Sequence, residues 1–173
     1  MKALLLVAAT IALAVPAASM QSDAASAAAA AGELKPMPAL SLKDFDGKAI
    51  ESDKLKGNVL VLDFWATWCG PCIAEIPALN RLQEKYAAKG LKVIGVTIAS
   101  GEPKEVKPFI SRNKMKYTVL MGDDDQAYDF NLIGFPTTYL ITRDFKIYRK
   151  YIGAGPGKSA RLESDVQSLL QSN

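Results

Sequence analysis

The chain has 173 residues, the size of one ordinary domain of ~100 to 200 residues, and its 49% hydrophobic and 23% charged residues fit a folded globular protein rather than a disordered or polytopic membrane one. Its 21 basic and 18 acidic residues leave a net charge of +3, too small and too scattered to imply nucleic acid or an anionic membrane surface as partner. Histidine is absent, which removes Ser-His-Asp and Cys-His nucleophiles, imidazole metal sites and axial histidine ligation of haem.

In chain order, Lys2 precedes an apolar run from Ala3 to Val15 and then the small residues Pro16-Ala17-Ala18-Ser19, the pattern of an export signal. The run covers 13 residues, whereas a helix needs ~20 to span the hydrocarbon core. Residues 1–19 are therefore expected to be a signal peptide cleaved after Ser19, the alternative being an uncleaved membrane tether. Ala24 to Ala31 holds seven alanines and one serine, nothing large enough to anchor to a core. Residues 20–35 read as an Ala-rich linker and 36–173 as a single domain.

Within that domain, Leu40–Phe45 and Lys48–Glu51 flank Asp46-Gly47, a dipeptide suited to the positive backbone angles of a tight hairpin turn. Val59–Trp65 is nearly continuous in apolar residues, as in a central strand covered on both faces, with Asp63 the exception. From Pro71, Ile73, Ile76, Leu79, Leu82 and Tyr86 recur at three and four residues, predicting a helix that contains Pro77 and ends at Gly90. Leu91–Ala99 is the next buried strand, Pro103–Arg112 a helix, Thr118–Met121 a short strand and Gln126–Phe130 a helical turn. Thr137–Thr142 and Ile147–Ile152 form an antiparallel pair, and Lys158–Leu170 is a final amphipathic helix. The order implies an α/β sandwich around a mixed sheet.

The two cysteines, Cys69 and Cys72, can bridge within the chain only to each other. They lie where a strand feeds a helix. A helix N-terminus carries unpaired N–H groups and about half a positive charge, which lowers the pKa of a thiol there, so Cys69 is the expected nucleophile. Cys72, three residues on and less exposed, is the expected resolving thiol. Pro71 is tolerated in the first turn because its missing N–H has no intrahelical partner, and Gly70 leaves room for a partner's backbone. As a plain staple a bridge this short gains least in the chain-entropy view. Structural zinc lacks its four ligands, and Cys-x-x-Cys-His haem attachment fails because Ile73 follows Cys72.

The stretch Asp63-Phe64-Trp65-Ala66-Thr67-Trp68-Cys69-Gly70-Pro71-Cys72 resembles the active-site segment of thioredoxins, and Pro77 and Gly134-Phe135-Pro136-Thr137-Thr138-Tyr139-Leu140 resemble the kinked helix and the cis-proline loop of that superfamily. The export signal, opening hairpin and extra helix from Pro103 narrow the likeness to the TlpA/ResA-like exported thiol-disulfide oxidoreductases. The resemblance implies a thioredoxin fold with a mixed central sheet flanked by helices, an N-terminal β-hairpin and a central helix insertion. It also implies that Pro136 sits against the cysteine pair after a cis bond, with the backbone of Phe135 offered to a substrate strand. Trp68, Gly70, Pro71, Phe135 and Pro136 are then the shaping and substrate-binding residues.

Two carboxyls are candidates for proton handling, since release of a mixed disulfide requires deprotonation of Cys72. Asp63 in a buried strand should have its pKa raised by desolvation and matches the buried aspartate of thioredoxins; otherwise it is a carboxylate paired with a nearby lysine. Glu75, one turn beyond Cys72, resembles the glutamate of ResA-like proteins; otherwise it is a solvated helix-surface charge. The chain departs from the ResA-like pattern in carrying Gly70 rather than an acidic residue, and Asp63 rather than asparagine. Two decoys are set aside. Gly153 to Ser159 misses the spacing of a phosphate loop by one residue and reads as a turn capping the last helix. Asp123-Asp124-Asp125 lacks the alternating ligands of an EF-hand and reads as a turn before a helix.

The expected activity is thiol-disulfide exchange through the Cys69–Cys72 couple, without metal or organic cofactor. The resemblance points to a monomeric periplasmic or otherwise extracytoplasmic reductant of protein disulfides, apocytochromes among the clients, recharged by a membrane thiol donor. One alternative is a thiol peroxidase, against which Ala66 stands where a hydroxyl residue would be required; another is a Cu(I) carrier using the two soft thiolates.

Overall fold

The computed structural model describes residues 34–172; the expected signal peptide, and the linker up to residue 33, lie outside the described residues. Seven strands form one mixed sheet: β1 (Ser41–Asp44), β2 (Ala49–Glu51), β3 (Val59–Trp65), β4 (Leu91–Thr97), β5 (Thr118–Met121), β6 (Thr137–Ile141) and β7 (Ile147–Ile152), in the order β2-β1-β5-β4-β3-β6-β7. Four α-helices accompany them: α1 (Gly70–Tyr86), α2 (Pro103–Arg112), α3 (Asp124–Asp129) and α4 (Lys158–Gln171). β3, β4 and β5 run parallel, joined through α1 and α2, while β6 and β7 return antiparallel on the other side of β3. The hairpin β1–β2 extends the sheet antiparallel to β5.

The nearly continuous apolar run of β3 is explained by its position. Every residue of it is buried, because it has a strand on each side and a packed layer on each face. Val59, Val61 and Trp65 face one layer, built with Leu79, Leu82 and Tyr86 of α1 and Leu162 and Val166 of α4. Leu60, Leu62 and Phe64 face the other, with Met37, Leu40, Phe130 and Tyr139. By this alternation Asp63 points into the first layer, with Cys72, rather than toward the second.

Several boundaries move for local reasons. The hairpin loop spans Phe45 to Lys48 rather than two residues, because only Gly47 adopts a left-handed conformation (φ 80°) and a two-residue type I′ turn needs positive φ at both positions. The carboxylate of Asp44 instead accepts the N–H groups of Asp46 and Lys48, each at 2.9 Å. β4 stops at Thr97, two residues early, as the chain turns through Ala99 at φ 49°. α3 begins at Asp124 rather than Gln126, since Asp123 caps it by accepting from the N–H of Asp125 at 2.9 Å while Gln126 Oε1 accepts from Asp123 N–H at 3.0 Å. The acidic triplet thus caps a helix.

Candidate active site

The site forms where β3 ends and α1 begins. Cys69 is the N-cap of α1, in extended backbone conformation (φ −87°, ψ 96°), with Gly70 and Pro71 in the first turn. It is bridged to Cys72, Cα to Cα 5.3 Å. The Cys72 N–H points at Cys69 Sγ at 3.3 Å, so one of the orphan donors of the helix start is already aimed at the sulfur that would carry negative charge once the bridge opens. Both sulfur-bearing residues are buried in the bridged state. A Cβ built on Gly70 meets nothing within 4 Å, so the surface beside the bridge is open there.

Two segments frame the bridge. Trp68 keeps 67% of its surface exposed, yet its indole N–H is fixed to the carbonyl of Ala99 at 2.9 Å and its ring meets that of Phe135 edge-on, with centroids 5.9 Å apart. The Phe135–Pro136 bond is cis. The β3–β6 register pairs Phe64 with Thr137, which places Pro136 one step further along, at the end of β3 that leads to Cys69. That loop is tied by Thr137 Oγ1, donating to Gly134 O at 2.7 Å, and by Gly153 N–H, donating to Pro136 O at 2.8 Å.

Beneath the bridge lies a buried charge cluster. Asp63 accepts from Thr138 Oγ1 at 2.7 Å. Desolvation dominates its proton affinity and pushes its pKa up to about 7, opposed by the Thr138 hydrogen bond and the Lys158 charge and reinforced by the Glu75 charge. Among the described residues no lysine is hydrogen-bonded to Asp63: Lys158 Nζ lies instead 2.8 Å from Glu75 Oε2, with only 6% and 12% of the two side chains exposed. Glu75 is therefore an enclosed ion-pair member rather than a solvated surface charge.

Three contributors were not singled out from sequence. Thr138 looked like an ordinary strand residue, although its register opposite Asp63 follows once β3 and β6 pair. Ser100 ties the active-site segment to β4: its Oγ accepts from Thr67 N–H at 3.0 Å and from Thr97 Oγ1 at 2.6 Å, and donates to Ile98 O at 3.0 Å. Lys158 follows the glycine-rich turn that imitates a phosphate loop, and its one local signal is a lysine opening a helix, where the macrodipole disfavours a cation. Among the described residues no group of three or more Cys, Asp or Glu side chains could hold a metal ion.

A cysteine pair capping a helix after a central strand, a cis-proline loop beside it and a buried aspartate under it define a thioredoxin-fold thiol-disulfide oxidoreductase. Comparison with known proteins agrees: residues 31–170 match the Redoxin family, and the chain belongs to it. It is 36% identical over 120 residues to the thiol-disulfide oxidoreductase ResA of Bacillus cereus (strain ZK / E33L), covering 69% of each chain. It is 33% identical over 131 residues to the thioredoxin-like protein YneN of Bacillus subtilis (strain 168), covering 75% of this chain and 76% of that one. Among solved structures, a putative thiol:disulfide interchange protein DsbE from Chlorobium tepidum superposes with a TM-score of 0.75 at 29% identity, over 80% of this chain and 98% of that one.

Proposed function

We propose that this oxidoreductase is exported and works outside the cytoplasm as a reductant of protein disulfides. In the reduced enzyme the Cys69 thiolate attacks one sulfur of a client disulfide, forming a mixed disulfide and expelling the other client sulfur as thiolate. Cys72 then passes its thiol proton to the Asp63 carboxylate, and the new thiolate attacks Cys69 Sγ. The bond between Cys69 and the client breaks, the second client sulfur leaves as thiolate, and the Cys69–Cys72 bridge is restored. Two electrons go to the client, and a membrane thiol donor returns them in the next cycle.

The observation that carries this reading is the helix-capping bridge together with a buried carboxyl, Asp63, on the face of the sheet that packs Cys72; burial pushes its pKa up to about 7, suited to taking and returning a proton near neutral pH. Trp68 and the Phe135–Pro136 segment supply the face on which an extended client strand docks. The apolar run Ala3–Val15 with its small-residue boundary supports export. No helix among the described residues is long and apolar enough to cross a membrane. By the resemblance to TlpA/ResA-like proteins, oxidised apocytochromes are among the candidate clients.

The test is catalysed reduction of a model protein disulfide with dithiol supplied, alongside the equilibrium potential of the Cys69–Cys72 couple. Turnover with a potential toward the thioredoxin end, about −270 mV, is expected; a potential near the DsbA end, about −120 mV, would overturn the direction. Efficient peroxide turnover or stoichiometric copper retention without disulfide reduction would replace the reading by one of its alternatives.

A further inference from the structure

Two carboxyls and one ammonium, Asp63, Glu75 and Lys158, are shielded from solvent and close enough for their charges to act on Asp63, and they divide unequally. Lys158 gives its hydrogen bond to Glu75, while Asp63 has only the Thr138 hydroxyl. Lys158 begins α4, where the helix dipole opposes a cation and where a buried ammonium costs free energy unless paired. The glycine-rich turn before it explains how it is delivered: Gly153 and Gly157 take φ values of 71° and 78°, and Lys158 N–H bonds back to Gly155 O at 3.1 Å. Lys158 and Glu75 also border a groove of about 170 Å³ between α1 and α4, with Ala78, Leu82, Ser159 and Leu162. Asp63 does not border it.

We infer that the Glu75–Lys158 ion pair is a positioning device for proton transfer, in which Lys158 is the counter-charge that lets Asp63 ionise and Glu75 is the brake that keeps that counter-charge from being spent on Asp63. Neither group touches the reacting sulfurs in this scheme; both act through Asp63. The other groups around Asp63 cannot do this. Gly95, opposite it on β4, has no side chain, Thr138 on β6 is uncharged, and Cys72 on α1 is the proton donor itself. Tyr117, ahead of β5, is held neutral because burial and the nearby Asp63 and Glu75 charges push its phenol far above its ordinary range.

The inference rests on Asp63 being the proton acceptor, and the two can fail separately. The Asp63 carboxyl is followed by the pH dependence of its 13Cγ resonance in oxidised, aspartate-labelled protein, assigned by its loss in Asp63→Asn. The rate of bridge reduction by a small dithiol is measured over the same pH range. Lys158→Met should raise the Asp63 midpoint by about one pH unit or more, tenfold in proton affinity, and Glu75→Gln should lower it by a similar amount. Lys158→Arg, which keeps the charge, should stay near wild type, and the kinetic inflection should follow the resonance in every variant. Midpoints that move together, or do not move, would overturn the inference, since generic loosening of the fold cannot shift one carboxyl in opposite directions. Should Lys158→Met not fold, the Glu75→Gln arm alone decides. A kinetic inflection unchanged in Asp63→Asn would instead sink the proton-acceptor assignment.

Discussion

Replacing Asp63 by asparagine isolates the cost of burying this carboxyl. The substitution keeps size and shape, and the amide oxygen can still accept from Thr138, whose hydroxyl lies 2.7 Å from Asp63 Oδ1. What disappears is the ionisable group. Moving a carboxyl from its ordinary 3.8 to about 7 corresponds, at about 1.4 kcal/mol per pH unit, to about 4 kcal/mol at full ionisation. Asp63 binds a proton more tightly folded than unfolded, so between pH 3.8 and about 7 the native state holds more protons and stability falls as pH rises. Below the unfolded-state value the cost is absent; above about 7 it is complete. Asp63→Asn should therefore match wild type at pH 3.5 and be more stable by about 2 to 4 kcal/mol at pH 8.5, the lower end allowing for relaxation around the charge. The assay is urea denaturation of the oxidised proteins across that range, comparing midpoints at unchanged slope. A stability difference independent of pH would refute the burial argument.

Other substitutions test neighbouring parts. Thr138→Val removes the hydrogen bond that lowers the Asp63 pKa, so the carboxyl midpoint should rise above about 7 and stability at low pH fall by about 1 kcal/mol, read by 13C titration and denaturation. Gly95→Ala would put a methyl 3.0 Å from Trp65 Nε1 and 3.1 Å from Tyr117 Cε2, costing about 1 to 3 kcal/mol in denaturation because both rings are packed. Trp68→Ala removes an exposed ring that contacts Phe135. Stability should change by less than about 1 kcal/mol, while KM for a protein disulfide rises and the rate with a small-molecule disulfide is retained.

Where chemistry and pattern act locally, the sequence was legible. The apolar continuity of Val59–Trp65, the three-and-four spacing from Ile73 to Tyr86 and the position of Cys69 before Pro71 each express a rule that needs no tertiary information, and β3, α1 and the N-cap follow. The Asp46-Gly47 turn is half legible: the dipeptide marks the hairpin, but its length is set by the side chain of Asp44, which accepts the N–H groups of Asp46 and Lys48. The charge cluster was the hidden part. Asp63 could be recognised as odd inside its own strand, but whether Glu75 is solvated depends on what α4 lays across α1, and Lys158 is 83 residues away in sequence. The one local signal, a lysine opening a helix against the macrodipole, does not say that the side chain folds inward or which carboxylate it meets. Thr138 shares this character, since its role exists only through the antiparallel register of β6 on β3.

The central claim is that Cys69 attacks and Cys72 resolves, and trapping tests it most directly. Reduced Cys72→Ser protein, mixed with a disulfide-containing protein at neutral pH, should accumulate a one-to-one covalent complex joined through Cys69, identified by mass spectrometry and released by added dithiol. Cys69→Ser should trap little or none. Equal trapping by the two variants, or a complex only through Cys72, would contradict the assignment of roles and the mechanism built on it.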